Sequence, residues 1–407
     1  MAGPGLDTIG NEEREALLRV IDDRKLSRYR FDDEATDGET SFTYRFERAL
    51  EAEMGVRHCL GMNSCTSALL SGMWAAGIGP GDEVIVPGYT FVAPMAAVTY
   101  TGADIVLAEI DHSLTLDPAD VASRITPRTR AIVCVHMLGM PARVDALRAL
   151  ADQHGLFLIE DCAQAAGGRY RGRALGSWGL FGAFSLNVFK TLTAGDGGVL
   201  LTNSSELFEA AFAIHDHGAR PFRAGVADAE SLLGLNLRMH ELTGAVAFAQ
   251  LPKLAPNLAR LRLLKRRLID AIGHVQGATP AVSNDPDGEC GTVLAYTFSD
   301  AGNADCIAGR LGTRTLGHSG KHNYANIPQL RGHALPAFAR GRVKAEHFVR
   351  GSLPRTDDLL ARTVAISVGV RDSYLGTGFG IGIHATDGDL EHVAATFRNA
   401  IEETHDG

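Results

Sequence analysis

The residue of this sequence best suited to covalent chemistry is Lys190, in the stretch FSLNVFKTLTAGDGG at residues 184–198. Only six of the 39 basic residues are lysines, and Lys190 is the only lysine between Lys25 and Lys253. A partly desolvated lysine can form an imine with an aldehyde or act as a base, whereas an arginine does neither. An arginine-rich chain also keeps a few lysines by chance, so the neighbouring motifs must show whether Lys190 is functional.

A second candidate group is the carboxylate of Asp161, at the end of the apolar run LFLIED. Ligands of open α/β sheets bind beyond the carboxyl ends of the strands, which is where this run places Asp161. A carboxylate buried there needs a cation or several donors, and a protonated ring nitrogen is such a partner. The alternative is an aspartate that caps a following helix.

Small polar residues before an apolar helix form a candidate anion site. Ser64, Cys65 and Thr66 stand between a strand-like run and a helix-like run, where free N–H groups and the helix dipole favour a phosphate. Ser185, five residues before Lys190, is placed to reach the same phosphate from a neighbouring strand. Ordinary N-capping explains the serine and the threonine equally well.

The aromatic side chain of Phe91 offers a flat face to a planar cofactor, although core packing is the usual role of a phenylalanine. Glycines at 195, 197 and 198 permit a tight turn near a ligand, or simply close a loop. An amine, an acid, an anion site and a stacking face together predict pyridoxal 5′-phosphate as the cofactor. The chain has no G-x-G-x-x-G, which argues against a dinucleotide, and its six scattered cysteines predict neither a metal site nor disulfides.

Seven short apolar runs between residues 57 and 202 predict the strands that position these groups. The runs are 57–62, 83–87, 104–110, 131–136, 156–161, 182–186 and 197–202. Several are apolar without alternation, as strands covered on both faces are, so we predict an α/β fold with a mostly parallel seven-stranded sheet. The last two runs are joined by the Lys190 turn, which leaves no room for a full helix.

The rest of the sequence predicts a second, smaller α/β unit. A segment that is helical by periodicity, interrupted at Pro252 and Pro256, leads into the strand-like TVLAYTFSD and TVAISVGV. The helix-like NADCIAGRLG and DLEHVAATFRNAIEE complete this unit. We therefore predict a large cofactor-binding domain with an N-terminal arm at 1–255 and a small C-terminal domain at 256–407.

The composition indicates which partners are excluded. The formal net charge is −9, which argues against nucleic acid or an anionic membrane as the main partner. The acidic N-terminal stretch lacks the apolar segment of a signal peptide, and no run approaches the roughly 20 apolar residues of a membrane span. These features predict a cytoplasmic protein that acts on small molecules.

In its motifs the sequence resembles the DegT/DnrJ/EryC1/StrS family of sugar aminotransferases, which are fold-type-I pyridoxal phosphate enzymes. The resemblance runs from about Thr43 to Leu251. It is carried by GMNSCTSALL, GDEVIVPGYTFVAP, EDCAQAAGG, GAFSLNVFKTLTAGDGGVLLTN and GLNLRMHELTGAVAFAQL. The resemblance implies an aspartate-aminotransferase-like fold and a homodimer with shared active sites.

The resemblance also implies cofactor roles for eight residues. Lys190 would bind the aldehyde of the cofactor, and Asp161 would pair with the pyridine nitrogen. The other six would hold the cofactor: Gln164 near the ring hydroxyl, Phe91 on the ring, Cys65, Thr66 and Ser185 at the phosphate, and Asn236 at the phosphate of the neighbouring subunit.

Three positions depart from the family pattern. Cys65 stands where many members have glycine, Leu186 where they have phenylalanine, and Asp196 where they have glutamate. A phosphate contact at Cys65 would then be made by the backbone. A related dehydratase branch has histidine at the position of Lys190, so the lysine implies a ping-pong transamination, with glutamate or glutamine as the donor.

The acceptor stays open between a cyclitol and a sugar, whether free or nucleotide-linked. DCAQ and LTAGDGG favour the branch that contains aminocyclitol aminotransferases and aminohydroxybenzoate synthases, in antibiotic biosynthesis. His318, Lys321, His322 and Tyr324 are candidates for contacts with substrate hydroxyls or a carboxylate, and a solvated loop is the alternative. An aromatising fold-type-I enzyme and a non-catalytic cofactor-binding regulator are the other functions that the sequence leaves open.

Overall fold

The computed structural model of the chain describes residues 3–28, 41–221, 232–331 and 345–405. Each of the seven predicted runs forms a strand of one sheet, with a short hairpin between the fifth and the sixth. In chain order the strands are β1 (His58–Met62), β2 (Glu83–Pro87), β3 (Asp104–Ala108), β4 (Thr129–Val135), β5 (Phe157–Asp161), the hairpin β6 (Arg169–Tyr170) and β7 (Arg173–Ala174), β8 (Phe181–Ser185) and β9 (Gly198–Thr202).

The order of the strands in the large sheet is β1-β9-β8-β5-β4-β2-β3. Strands β8, β5, β4, β2 and β3 are parallel, because the chain crosses back between them. Strand β9 is antiparallel to both of its neighbours, because the turn that carries Lys190 contains no crossover helix. The predicted mostly parallel sheet is therefore confirmed.

The large sheet is covered on both faces. Val84 and Val86 of β2 are fully buried in the core on one face, and Ile85 between them is fully buried in the core on the other. Successive side chains of a strand point to opposite faces, so a doubly covered strand shows no polar alternation. This is why uninterrupted apolar runs predicted the architecture.

The helices flank the sheet and form both ends of the described chain. In chain order they are α1 (Pro4–Asp7), α2 (Asn11–Asp22), α3 (Phe42–Met54), α4 (Cys65–Ala75), α5 (Val92–Thr101), α6 (Pro118–Arg124), α7 (Val144–His154), α8 (Ser205–His215), α9 (Glu241–Ile272), α10 (Ala301–Arg310), α11 (Pro354–Ala361) and α12 (Asp387–His405). None of those in the described ranges is both long and apolar enough to cross a membrane.

Helix α9 continues through both prolines, so the predicted interruption at Pro252 and Pro256 is wrong. Each internal proline costs about 3 kcal/mol. The buried face of the helix includes Leu251, Leu254 and Leu258, and each buried leucine contributes about 1.5–3 kcal/mol. Because α9 packs against α2, α3 and α12, the lost backbone bonds are offset, and the predicted domain boundary at residue 255 falls inside this helix.

A second, four-stranded sheet contains β10 (Ala278–Pro280), β11 (Val293–Phe298), β12 (Thr363–Val368) and β13 (Gly380–Ile381), in that order. Only the pair β12 and β13 is parallel. The sheet shares a buried core with the C-terminal half of α9, with α10 and with α12. The two predicted strands and two predicted helices of this unit are confirmed, whereas β10 and β13 are too short to show a periodic pattern.

Candidate active site

A cavity of about 560 Å³ opens at the carboxyl ends of β4, β5 and β8. Strands run parallel at this edge, so the residues that follow them meet there. On the side of the second unit the cavity is lined by Thr292, Val293, Val370, Asp372, Tyr374 and Leu375. Ten residues proposed from the sequence line it: Ser64, Cys65, Thr66, Phe91, Asp161, Gln164, Ser185, Lys190, Lys321 and His322.

The amine of Lys190 lies half-buried in the turn after β8. Within the described part of the chain it makes no ion pair or hydrogen bond. Burial lowers the pKa of the Lys190 amine, although Cys65, Asp161 and Asp372 act in the opposite direction. The amine is therefore closer to its neutral, nucleophilic form than an exposed lysine would be.

The carboxylate of Asp161 is buried at the last position of β5. Its Oδ1 accepts a hydrogen bond of 2.9 Å from the backbone N–H of Ala163. No helix follows in the described segment, only turns, so Asp161 does not act as a helix cap. Burial raises the pKa of the carboxyl group, against the opposing effects of Ala163 N–H, Lys190 and His136.

A second buried carboxylate, Glu160, anchors the strand end from the opposite face of the sheet. Its oxygens accept backbone N–H groups from Gly176, Trp178 and Gly179 at 2.6–2.8 Å. The Nε2 of His136 lies 3.2 Å from Glu160 Oε2, and Nδ1 accepts the N–H of Ala142, so Nε2 carries the ring proton. The sequence showed the pair Glu160–Asp161 without indicating which of the two faces the cavity.

The first turn of α4, where the sequence predicts an anion site, lies at the cavity. Ser64 caps the helix by accepting the N–H of Ser67, and Cys65 and Thr66 follow on the cavity side. Ser64 therefore both caps the helix and lines the cavity. Burial raises the pKa of the Cys65 thiol well above its usual range, which favours a contact through the backbone N–H rather than through the sulfur.

Two further residues are placed as expected for a planar ligand. The Phe91 ring lines the cavity, is 40% exposed and lies 5.1 Å from the ring of His322, so it is not a core residue. The Oε1 of Gln164 accepts the N–H of Leu138 at 2.8 Å. This bond fixes the side-chain amide and leaves its N–H₂ group as the donor available to a ligand.

The four residues proposed to contact substrate separate into two pairs. Lys321 and His322 line the cavity, and burial together with Lys190 and Lys321 lowers the pKa of His322 to about 3. Tyr324 does not line it, because its buried hydroxyl binds Asp357 and the N–H of Leu353 instead. His318 also lies outside, half-exposed and 3.4 Å from Asp305. The proximity of all four in the sequence gave no indication of this division.

Asn236 also lies outside the cavity of a single chain. It is exposed, and its backbone pairs with Asp216 in an isolated antiparallel bridge. Residues that line the cavity without having been proposed include Thr90, Asp372 and Tyr374. The last two come from a loop of the second unit, and no motif of the sequence singled them out.

Comparison with known proteins agrees with this geometry. The profile of the DegT/DnrJ/EryC1/StrS aminotransferase family matches residues 30–369. An L-glutamine:2-deoxy-scyllo-inosose aminotransferase of Streptoalloteichus tenebrarius is 40% identical over 248 residues, which span 59% of this chain and 58% of that protein. A dTDP-3-amino-3,4,6-trideoxy-alpha-D-glucose transaminase of Streptomyces venezuelae is 36% identical over 328 residues, 80% of this chain and 81% of that protein.

The fold is shared with solved aminotransferase structures. The crystal structure of DesV from S. venezuelae, in complex with a ketimine intermediate, superposes with a TM-score of 0.77 at 31% identity. The superposition covers 96% of this chain and 95% of DesV. The expected aspartate-aminotransferase-like fold is thus confirmed, and the chain belongs to the DegT/DnrJ/EryC1/StrS aminotransferase family and is an aminotransferase.

Proposed function

We propose that this enzyme uses pyridoxal 5′-phosphate to move an amino group from glutamine or glutamate to a ketone on a cyclitol or sugar, in secondary-metabolite or sugar biosynthesis. The proposal depends on one observation: Lys190, Asp161 and the first turn of α4 line the same cavity. An amine, a carboxylate for the ring nitrogen and an anion-binding helix end are the groups that this cofactor needs.

Two features of the cavity fit the cofactor: a closely packed helix end for its phosphate, and unused bonding capacity for its ring and aldehyde. A Cβ added to Gly198 would lie 2.2 Å from the backbone nitrogen of Cys65, so only glycine allows β9 to approach the helix end this closely. Lys190 Nζ and Asp161 Oδ2 have no partner among the described residues. Both atoms are therefore available to a bound ligand.

The chain's own groups would divide the chemistry as follows. When bound, pyridoxal phosphate supplies an aldehyde for an amine and a ring that withdraws electrons from the α-carbon of an amino donor. Asp161 would keep the proton on the ring nitrogen. The positive charge of the ring would in turn offset the desolvation cost of the buried Asp161 carboxylate. Burial lowers the pKa of the Lys190 amine. Once the donor has displaced this amine from the cofactor, Lys190 Nζ would take the α-proton of the donor. Donor and acceptor would use the cavity in turn.

A cyclitol or free sugar is the acceptor that we favour over a nucleotide-linked sugar. Among the described residues that line the cavity, only Lys190 and Lys321 are lysines or arginines. Recognition of a diphosphate usually uses several cationic donors, arginine above all. The aminocyclitol-like strings DCAQ and LTAGDGG point the same way.

We also propose a homodimer in which Asn236 serves the neighbouring active site. Leu233, next to a segment outside the described residues, is 98% exposed, and Leu232, Leu235 and Leu242 are also exposed. Exposed apolar side chains this dense are typical of a surface that another protein covers. In this proposal a second copy of the chain covers these exposed leucines. Asn236, which does not line the cavity of its own chain, would then contact the phosphate in the cavity of the second copy.

The lysine assignment can be tested by trapping. Purified protein with added pyridoxal phosphate is reduced with borohydride, digested and analysed by mass spectrometry. We expect a pyridoxyl group on the peptide that contains Lys190, its loss in Lys190→Ala, and its retention in Lys321→Ala, which removes another amine of the same cavity. A pyridoxyl group still attached to the Lys190→Ala polypeptide would show that the assignment is wrong.

The reaction class needs a separate readout. Glutamine should bleach the visible band of the cofactor-loaded enzyme and release its keto acid, and a keto-cyclitol should then restore the band. A regulator would keep its band under glutamine, and an aromatising enzyme would produce a new ultraviolet-absorbing product from the acceptor. Comparing 2-deoxy-scyllo-inosose with nucleotide-linked ketosugars in the second step identifies the acceptor class.

A further inference from the structure

The N-terminal segment of residues 3–8 lies against the turn that carries the proposed cofactor lysine. The N–H of Gly3 donates to the carbonyl of Val188 at 3.1 Å, and the N–H of Gly5 donates to the carbonyl of Lys190 at 3.0 Å. The first carbonyl belongs to the residue two positions before Lys190, and the second belongs to Lys190 itself. Two backbone bonds from one short segment therefore hold the main chain at the base of the Lys190 side chain.

The approach of the two segments leaves no room for side chains at the contact. A Cβ added to Gly3 would lie 2.2 Å from the carbonyl carbon of Phe189 and 2.7 Å from the nitrogen of Lys190. A Cβ added to Gly5 would lie 2.9 Å from the carbonyl oxygen of Lys190. Since Cβ contacts below 3 Å do not occur without displacement, a residue larger than glycine must shift one of the two segments.

The same segment is fixed at its other end by groups remote from the turn. Lys253 Nζ of α9 donates to the carbonyl of Thr8 at 2.9 Å, and Asn257 Nδ2 donates to Thr8 Oγ1 at 3.1 Å. His384 Nε2 lies 3.0 Å from the carbonyl oxygen of Asp7. The segment thus connects the turn, helix α9 and the second unit, with residues 3–5 buried and Leu6 and Asp7 exposed.

We infer that residues 3–8 are a positioning segment that sets where Lys190 Nζ stands in the cavity. The inference depends on the proposed role of Lys190 as the cofactor lysine. The turn between β8 and β9 contains no helix or strand, and residues 187–190 are half-buried. Inside the turn the N–H groups of Phe189 and Lys190 bond to Asn187, whereas the carbonyls of Val188 and Lys190 bond to residues 3–8 instead. Loss of these two bonds would release the carbonyl side of the turn. A displaced backbone would move Nζ relative to Asp161, and misplacement by about 1 Å can cost roughly 100-fold in rate.

The test compares Gly3→Ala and Gly5→Ala with Gly309→Ala. Gly309 is a control because an added Cβ there would meet no atom within 4 Å. Gly5→Ala, with the milder contact, serves if Gly3→Ala does not fold. Each variant is assayed for three properties: hydrogen exchange of the peptide 186–194 without cofactor, the pH midpoint of the visible band with pyridoxal phosphate, and kcat and KM separately.

We expect Gly5→Ala to exchange faster in the peptide 186–194, to shift the pH midpoint of the band, and to lower kcat by about 10- to 100-fold with little change in KM. Gly309→Ala should match the wild type in all three. If Gly5→Ala folds and has the band midpoint and kcat of Gly309→Ala, the inference is overturned. Failure of the proposed function is distinguishable, because the wild type would then carry no pyridoxyl group on Lys190 after borohydride.

Discussion

The Oδ1 of Asp161 lies 2.9 Å from the backbone nitrogen of Ala163, so the carboxylate is oriented by its own turn, and no side chain of the described residues hydrogen-bonds to it. Asparagine can accept the same N–H through its own Oδ1 but cannot carry a negative charge. We therefore expect Asp161→Asn to fold normally and to lower kcat/KM with glutamine by about 100- to 1000-fold.

The control for Asp161→Asn is Asp104→Asn, at the opposite end of the sheet, where the carboxylate pairs with Arg128. This variant should keep wild-type kinetics. Steady-state kinetics of both variants measure the effect of the lost charge, and circular dichroism verifies that both variants fold. A rate for Asp161→Asn equal to that of the wild type would mean that no charge at this position acts on the cofactor.

Replacing Glu160 should weaken the fold. Both oxygens of this buried carboxylate accept two donors each: Trp178 N–H and Gly179 N–H at Oε1, Gly176 N–H and His136 Nε2 at Oε2. In Glu160→Gln the amide N–H₂ must face one of these pairs. We expect a loss of about 1–3 kcal/mol in the free energy of unfolding by urea.

Glu403→Gln is the control for this measurement, since that side chain is 63% exposed. Its effect should stay within about 0.5 kcal/mol, as is usual for surface positions. An unchanged urea midpoint in Glu160→Gln would indicate that water or a backbone shift satisfies the facing donors.

The close approach of Gly198 to Cys65 predicts weaker cofactor binding in Gly198→Ala. The added Cβ would lie 2.2 Å from Cys65 N and 2.4 Å from the carbonyl carbon of Ser64. Overpacking of this kind costs about 1–3 kcal/mol, and displacement of the helix end should raise the dissociation constant of pyridoxal phosphate about tenfold or more. Gly79→Ala, whose nearest contact would be 3.9 Å, should bind as the wild type does. Titration of the visible band measures both.

The pKa of Lys190 makes stability depend on pH in the cofactor-free enzyme. Burial lowers this pKa below the unfolded value of 10.5, so the unfolded chain binds the proton more tightly than the native one. Between the two pKa values the native state therefore gains stability as pH rises. We expect Lys190→Met to be more stable than the wild type at pH 7 and to lose this advantage as pH approaches 10.5, measured by urea unfolding.

Lys253→Met should behave in the opposite way. Burial lowers the pKa of Lys253, but Glu13 and Glu12 outweigh it and raise the value above 10.5. The stabilisation is then fully present below pH 10.5 and fades only above it, so this variant should be less stable than the wild type at pH 7. If both variants were more stable than the wild type at pH 7, or both less stable, the assigned directions of the two pKa shifts would be contradicted.

Hybrid dimers test whether active sites are shared. Neither Lys190→Ala nor Asn236→Ala should be active alone if each site needs Lys190 from one subunit and Asn236 from the other. Dissociating and reassociating an equal mixture should restore activity, because one site of each mixed dimer contains both residues. If Asn236 serves its own chain, or if mass photometry shows a monomer, mixing restores nothing.

Much of the large sheet could be predicted because its signals are local. Each of the seven strands coincides with a short apolar run of the sequence, and several runs lack alternation because both faces of the sheet are covered. The interruption of α9 at Pro252 and Pro256 was predicted wrongly, because the packing that offsets a proline comes from distant helices. Proximity in sequence likewise failed for His318 and Tyr324, which turn away from the cavity that Lys321 and His322 line.

By itself, the sequence determined which groups are present and near which strand ends they stand: the amine of Lys190, the acid of Asp161 and the small polar residues at the start of α4. These follow from hydrophobic runs and their immediate neighbours. Only the tertiary structure decided that Glu160 faces away from the cavity, that Asp372 and Tyr374 line it, and that Gly3 and Gly5 hold the lysine turn. Such contacts join segments far apart in the chain, and packing, not local pattern, selects them.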